Sequence, residues 1–182
     1  MEKFWKTIKS KLVHENPWYK ILEDDVALPD GNECKYFVMD YADFVIVIPL
    51  TKDNEVYLVG QYRYPTKEYT WELPSGGIDI EKNETPLAAA KREMAEEVSL
   101  QSDNWEKIGE FYTANSYSNQ RGHVYVAREV EPTTKEIKPD YNEFLETKKV
   151  TLEQLGNMIK AGEITDGPTM ACFCKLQLFL DS

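Results

Sequence analysis

The sequence has 182 residues, 42% of them hydrophobic, and a formal net charge of −11. That length fits one domain with a sizeable core, or one domain plus a small appendage, and the composition is ordinary for a globular protein. The negative charge repels phosphate backbones and argues against nucleic acid as a partner, although a small phosphorylated substrate is compatible if metal ions screen it. No apolar run is long enough to span a bilayer, which argues against a membrane partner. The N-terminal stretch MEKFWKTIKSKL is basic and amphipathic, has no uninterrupted apolar core, and does not read as a secretory signal. Cys34, Cys172 and Cys174 are an odd number with no framework spacing and suit a reducing cytoplasm. Cys172 and Cys174 lie two apart in an apparent helix and face different directions, which disfavours a shared metal.

Taken in order, residues 2–12 carry Phe4, Trp5, Ile8 and Leu12 at a spacing that predicts a short helix. Ile21 to Leu28 and Lys35 to Met39 read as two strands joined across Pro29-Asp30-Gly31-Asn32, a strong turn signal. These strands alternate poorly and are rich in acids, as in a small sheet that leans on something else, such as a second subunit. From Phe44 the run FVIVIPL reads as a strand buried on both faces. Thr51 to Asn54 turns the chain, and Val56 to Arg63 returns as another strand. Trp71-Glu72-Leu73-Pro74 is a further strand that delivers a glycine-bearing loop.

A helix follows, with Thr85 as N-cap, Pro86 in its first turn and Leu87, Ala90, Met94 and Val98 as an apolar stripe. Beyond it, Trp105 to Tyr112, His123 to Ala127 and Glu146 to Val150 read as strands, with His123 in a structural role. Thr151 and Gln154 form a capping box for a helix that Gly162 ends, and Gly167-Pro168 opens a last, mostly apolar helix. Strands interleaved with helices give an α/β class, with a mixed sheet covered on both faces. No internal repeat, low-complexity segment or long linker interrupts it.

The chemistry concentrates on the first of these helices. Glu93, Glu96 and Glu97 stand at i, i+3 and i+4, so their carboxylates point the same way. A Glu-rich helix face is ordinarily just solvated. Here the acids follow a glycine loop whose backbone can come close to a ligand, and the single charge of Arg92 cannot balance three carboxylates. A hard divalent cation such as Mg²⁺, with oxygen ligands, would.

The whole stretch from Trp71 to Leu100 resembles the Nudix box, G-x5-E-x7-R-E-hydrophobic-x-E-E-x-G-hydrophobic. Gly76 opens it, Glu84 is the first acid, and Arg92-Glu93-Met94-Ala95-Glu96-Glu97 follows after seven residues. The loop between Gly76 and Glu84 is two residues longer than the pattern, and Ser99 stands where glycine is usual. With "LPDG", "VIVIPL", "VYLVGQYRYP", "WELPSGGID" and "GEITDGPT", nearly the whole chain from about residue 18 resembles the ADP-ribose pyrophosphatase branch of the Nudix hydrolases.

That resemblance implies a Nudix-type mixed β-sheet between α-helices over residues 43–182. It also implies an N-terminal extension over residues 1–42, a helix and strands exchanged within a homodimer. The implied activity is Mg²⁺-dependent cleavage of the pyrophosphate bond of a nucleoside diphosphate sugar, with Mn²⁺ as an alternative ion. Glu93 and Glu97 become the leading metal ligands, with Glu96 and the main chain at Ser75 and Gly76 beside them. Arg92 would orient Glu84 or a neighbouring carboxylate.

Arg63 matches a position near the substrate phosphates, against the plain reading of a strand-end arginine paired with a surface acid. Glu72 matches a glutamate beside substrate or metal, against a solvated strand residue. Trp18, Tyr19 and Phe37 are candidates to stack on the base, against a purely structural role. The general base is open: Glu143 in EIKPDYNEFLE, Glu96, or hydroxide on the metal. Tyr141 stands where an acid is often found. In TANSYSNQRGH, Asn115 and Ser116 replace a proline and glycine, and Gln120 replaces an acid, so a different nucleotide sugar is compatible. Tyr141 and Gln120 also motivate a competing reading, a non-catalytic sensor that binds nucleotide sugars. A calcium-buffering role lacks the required loop spacing.

Overall fold

A computed structural model describes residues 4–134 and 144–181. The chain divides into two compact units, Met1–Asp43 with Tyr112–Arg121, and Phe44–Phe111 with Gly122–Ser182.

The first unit is an antiparallel sheet of β1 (Lys6–Glu15), β2 (Tyr19–Ala27) and β3 (Glu33–Tyr41), in that order. Its first strand replaces the helix expected over residues 2–12, and the reason lies across the strand. Lys9 stands opposite Asp25 and Lys11 opposite Glu23, so alternate lysines of β1 face alternate acids of β2. Such opposite-charge cross-strand pairs stabilise a sheet, whereas helical spacing is blind to them. Every residue of β1 is exposed, Ile8, Leu12 and Val13 included. The turn between β2 and β3 falls where the Pro-Asp-Gly-Asn signal places it, with Gly31 at φ 89° and its N–H donating to the Leu28 carbonyl. The segment Tyr112–Arg121 is sewn to the end of β3. The Met39 N–H donates to the Tyr117 carbonyl at 2.8 Å, the Tyr41 N–H donates to Asn119 Oδ1 at 3.0 Å, and Arg121 pairs with Asp43 at 3.1 Å.

The second unit holds β4 (Phe44–Pro49), β5 (Glu55–Arg63), β6 (Glu68–Glu72), β7 (Ser75–Gly77) and helix α1 (Pro86–Val98). Then come β8 (Leu100–Gln101), β9 (Asn104–Tyr112), β10 (Arg121–Arg128), β11 (Glu131–Pro132), β12 (Glu146–Thr151), α2 (Leu152–Ala161) and α3 (Gly167–Leu180). One sheet runs β7-β4-β10-β9, with β4 parallel to β10 and antiparallel to β7. Another runs β12-β5-β6, and β11 pairs with β8. The strand β4 is buried on both faces, as its continuous apolar run predicts. Val45 and Val47 pack with Ala89, Ala90 and Met94 of α1, while Ile46 and Ile48 pack with Leu155 of α2 and Leu176 of α3. Helices therefore cover both faces of a mixed sheet.

Capping follows the sequence closely. The Thr85 hydroxyl accepts from the Ala88 N–H at the start of α1, Thr151 and Gln154 form the full capping box of α2, and Gly162 closes α2 at φ 77°. Ser99 takes the left-handed conformation at φ 54° and ψ 39° and closes α1, doing at some cost what glycine does freely. Leu87 departs from the expected stripe, being 36% exposed. Only one side of α3 packs inward, through Thr169, Cys172 and Leu176, and Leu178 is exposed. Cys34 and Cys174 are exposed and Cys172 is buried, all as free thiols. Among the described residues no helix is long and apolar enough to cross a membrane.

Candidate functional site

The site is built where the chain leaves β6, bends, and enters β7 under α1. Two bonds hold the bend. The Leu73 N–H donates to the Thr169 hydroxyl of α3 at 3.0 Å, and the Pro74 carbonyl accepts from the Val47 N–H at 2.8 Å. The strand β7 then pairs Ser75 with Ile46 and Gly76 with Val45. This fixes a short stretch of backbone directly beneath the acidic face of α1.

Glu97 and Glu93 reach down to it, 8% and 9% exposed. Glu97 Oε2 accepts from the Ser75 N–H at 2.8 Å. Glu93 occupies the space that a side chain at position 76 would need, since a Cβ there would lie 2.0 Å from Oε1 and 2.1 Å from the carboxyl carbon. Gly76 is thus required by close approach, not by a left-handed φ.

Arg92 organises the acids around it. Its Nε donates to Glu84 Oε1 at 2.9 Å and its Nη2 to Glu84 Oε2 at 3.0 Å, a bidentate pair. Nη1 donates to Glu93 Oε1 at 2.6 Å and Glu96 Oε2 at 3.0 Å, and Nη2 also reaches the Gly77 carbonyl at 2.9 Å. The Asp79 N–H adds a bond to Glu84 Oε2 at 3.0 Å. The hydrogen bond from Arg92 holds the Glu84 carboxyl below its ordinary value, and Glu84 in turn pushes the Arg92 guanidinium up.

Four carboxylates therefore share one guanidinium, and the partly buried site carries excess negative charge. Among the described residues no set of three acids, histidines or cysteines is already converged for a metal ion. The reason is visible: the guanidinium of Arg92 draws Glu93 and Glu96 to itself, while Glu97 is turned to the Ser75 N–H. The donor set itself is all oxygen, and its negative excess fits a hard divalent cation.

Arg63 and Glu72 lie at the ends of the β5–β6 pair and form an ion pair in which Nε and Nη2 both donate to the carboxylate. Glu72 is buried at 5%, so it is not a solvated strand residue, and Arg63 is held by a buried acid instead of a surface one. The bond to Glu72, with lesser help from the charges of Glu97 and Asp166, raises the Arg63 guanidinium above its ordinary value.

Trp18, Tyr19 and Phe37 lie in the first unit. Trp18 and Phe37 are exposed, and Tyr19 packs on Tyr41 with ring centroids 5.0 Å apart. In the same unit, the Gln120 amide donates to the Ala42 carbonyl at 3.1 Å, a structural use that sequence reading did not suggest. His123 is buried beside Glu110, its Nδ1 3.2 Å from the carboxylate, consistent with a structural role. Glu143 and Tyr141 lie outside the described residues. Sequence reading also missed the anchoring pair Asp166 and Thr169. Asp166 caps α3 by accepting from the Thr169 N–H at 2.8 Å, and the buried Thr169 side chain accepts from Leu73. An Asp just before Gly-Pro-Thr was the available signal.

Comparisons with known proteins agree with this geometry. The profile described as NUDIX domain matches residues 40–172, and that described as Nucleoside diphosphate sugar hydrolase N-terminal domain matches residues 5–39. The chain is 31% identical over 173 residues to the methanol dehydrogenase activator of Bacillus methanolicus, covering 95% of this chain and 92% of that relative. It is 30% identical, with the same coverage of both, to the ADP-ribose pyrophosphatase of Bacillus subtilis strain 168. A solved structure titled "Crystal structure of ADP compounds hydrolase" superposes with a TM-score of 0.84 at 19% identity, covering 97% of this chain and 94% of that one, which shows the shared fold.

Proposed function

We propose, from the premise that the chain belongs to the Nudix family, that it is a pyrophosphatase that hydrolyses nucleoside diphosphate sugars of the ADP-ribose type. The observation that carries this reading is the Glu93 carboxylate seated where a Cβ of residue 76 would stand, beside the Glu97 bond to Ser75. A buried acid pair pressed on a bare stretch of backbone is poor for stability and well suited to cation binding. Glu93 and Glu97 would hold the divalent ion, with Glu96 and the main chain at Ser75 and Gly76 as further oxygen donors. Mg²⁺ is the proposed ion, with Mn²⁺ as the alternative. When bound, such an ion supplies charge neutralisation at the diphosphate.

This chain's own residues do the rest. Arg63, whose bonds to Glu72 use Nε and Nη2, presents its remaining edge to a phosphate oxygen. Glu72 is a positioning residue for Arg63, and Arg92 is one for Glu84, Glu93 and Glu96. Water attacks one phosphorus, the anhydride P–O bond breaks, and the other phosphate leaves with the bonding electrons. The proton of the water passes to Glu143 or Glu96. The products are a nucleoside monophosphate and a sugar phosphate. Trp18, Tyr19 and Phe37 are the proposed base-stacking residues, in a homodimer that exchanges its N-terminal strands. The exposed Ile8, Leu12 and Val13 of β1 support such a partner. Three free cysteines support a reducing cytoplasm as the compartment.

The test is a panel of ADP-ribose, GDP-mannose, UDP-glucose and NADH with Mg²⁺ and with chelator. Metal-dependent release of a nucleoside monophosphate from at least one is expected, and no product from any at micromolar enzyme sinks the reading. Tight binding without turnover would mark a sensor, a reading that no feature of the described site favours.

A further inference from the structure

Beside the carboxylate bend, between the β5–β6 hairpin and the start of α3, lies a cavity of about 330 Å³. That volume is at the small end for ligand sites, enough for one sugar ring and too little for a whole nucleotide. Three carboxylates, Glu68, Glu72 and Asp166, line it against one cation, Arg63, which already serves Glu72. A wall with that excess of negative charge repels phosphate. It contains no aromatic side chain, so it offers nothing for a base to stack on.

What it offers is acceptors and hydroxyls. Asp166 caps α3 through Oδ2, leaving Oδ1 as an acceptor. Thr165 and Thr66 contribute side chains at the rim. Thr70 stands on the same face of β6 as Glu68 and Glu72, is 8% exposed, and its hydroxyl has no hydrogen-bond partner among the described residues. A buried hydroxyl is normally satisfied, and one left open in a cavity wall calls for a ligand group that completes it. The cavity is also continuous with the proposed chemistry, because Glu72 is three residues from Ser75 on one bound stretch of backbone.

We infer that this cavity is the sugar subsite, receiving the glycosyl ring of the substrate through hydrogen bonds from its hydroxyls to Glu68, Asp166 and Thr70. This rests on the nucleotide-sugar hydrolase reading above. It assigns recognition of the sugar to the β6 face and the α3 start, apart from base and diphosphate.

The experiment compares wild type, Thr70→Val and Thr70→Ser for inhibition by the two halves of the product, ribose 5-phosphate and AMP, during ADP-ribose hydrolysis. Mannose 1-phosphate and GMP are run against GDP-mannose in the same way. Thr70→Val is expected to weaken inhibition by the sugar phosphate and raise KM about 5- to 10-fold, the scale of one hydrogen bond. AMP or GMP inhibition should stay within about twofold, and Thr70→Ser, which keeps the hydroxyl, should restore the sugar-phosphate effect. Thermal melting checks the fold: losing an unpartnered hydroxyl should not lower Tm. Equal sugar-phosphate inhibition in wild type and Thr70→Val overturns the subsite, as does a parallel loss for sugar phosphate and nucleotide. A wild type that turns over nucleotide sugars but is never inhibited by sugar phosphates overturns the subsite alone. A wild type that hydrolyses none of them takes down the hydrolase reading, and this inference with it.

Discussion

Gly76→Ala separates folding from function more cleanly than any change to the acids themselves. The backbone at Gly76 is not in the left-handed region, so alanine adds no conformational strain there. Its Cβ would meet only one neighbour closely, the Glu93 carboxylate, at 2.0 Å from Oε1, 2.1 Å from the carboxyl carbon and 2.6 Å from Oε2. To reach ordinary contact beyond 3.4 Å, the carboxylate must retreat by more than an ångström. Glu93 is the far end of a flexible side chain, so this retreat is a rotamer change with little effect on the core. The stability cost should be about 1 kcal/mol or less, the typical scale of a mild substitution. The catalytic cost is larger, because misplacing a ligand by about 1 Å can lower rate by about 100-fold. The assay is kcat/KM on the best substrate of the panel across a Mg²⁺ titration, with circular dichroism melts on the same samples. A Gly76→Ala protein within threefold of wild type at low Mg²⁺ would refute the claim that Glu93 must sit against bare backbone.

Other changes test the supports. Arg92→Met should cost about 2 kcal/mol in urea unfolding, below the usual range for breaking a buried pair because the Arg92 side chain is 35% exposed. The Glu84 carboxyl, held below its usual 4.5 by Arg92, binds a proton less readily folded than unfolded. Its contribution is complete above about pH 4.5 and is lost as pH falls through the lower folded value, so Tm should decline on acidification below pH 4.5 and decline less in Glu84→Gln. Thr169→Val orphans the buried Leu73 N–H and should cost about 1–3 kcal/mol, read from the urea midpoint. Deleting residues 1–40 should yield a destabilised or monomeric, impaired protein by light scattering and activity, and a soluble, fully active truncation would count against a shared site.

How much of this was legible in the chain depended on where the determining contacts lie. Caps are local, so Thr85, Thr151, Gln154 and Gly162 were readable, as was the two-faced burial of FVIVIPL. The β1 strand was not, because its cause is a pairing with β2 more than ten residues away, and helical periodicity in Phe4, Trp5, Ile8 and Leu12 masked the lysine alternation. The acids of α1 could be placed on one face from spacing alone. That Glu93 would displace any side chain at position 76 depends on the register of β7 against β4, which a one-dimensional reading does not supply. The Thr169 anchor, 96 residues from Leu73, is the same kind of omission.

The charge balance of the site explains why its parts hang together. Glu84, Glu93, Glu96 and Glu97 are more acid than Arg92 can neutralise, and Glu93 and Glu97 are nearly buried. Burying unpaired carboxylates opposes folding, so the acids persist only because the structure holds each of them by something other than a matching cation. Glu84 has a bidentate guanidinium and the Asp79 N–H, Glu97 has the Ser75 N–H, and Glu93 and Glu96 share one nitrogen of Arg92. Those last two are the weakest held, since one Nη1 serves both. They are therefore the carboxylates that a divalent ion can recruit at least cost, while Glu84 keeps Arg92 in place. On this argument the division of labour within the helix follows from bond count: the doubly held acid is the anchor, and the shared ones are the ligands.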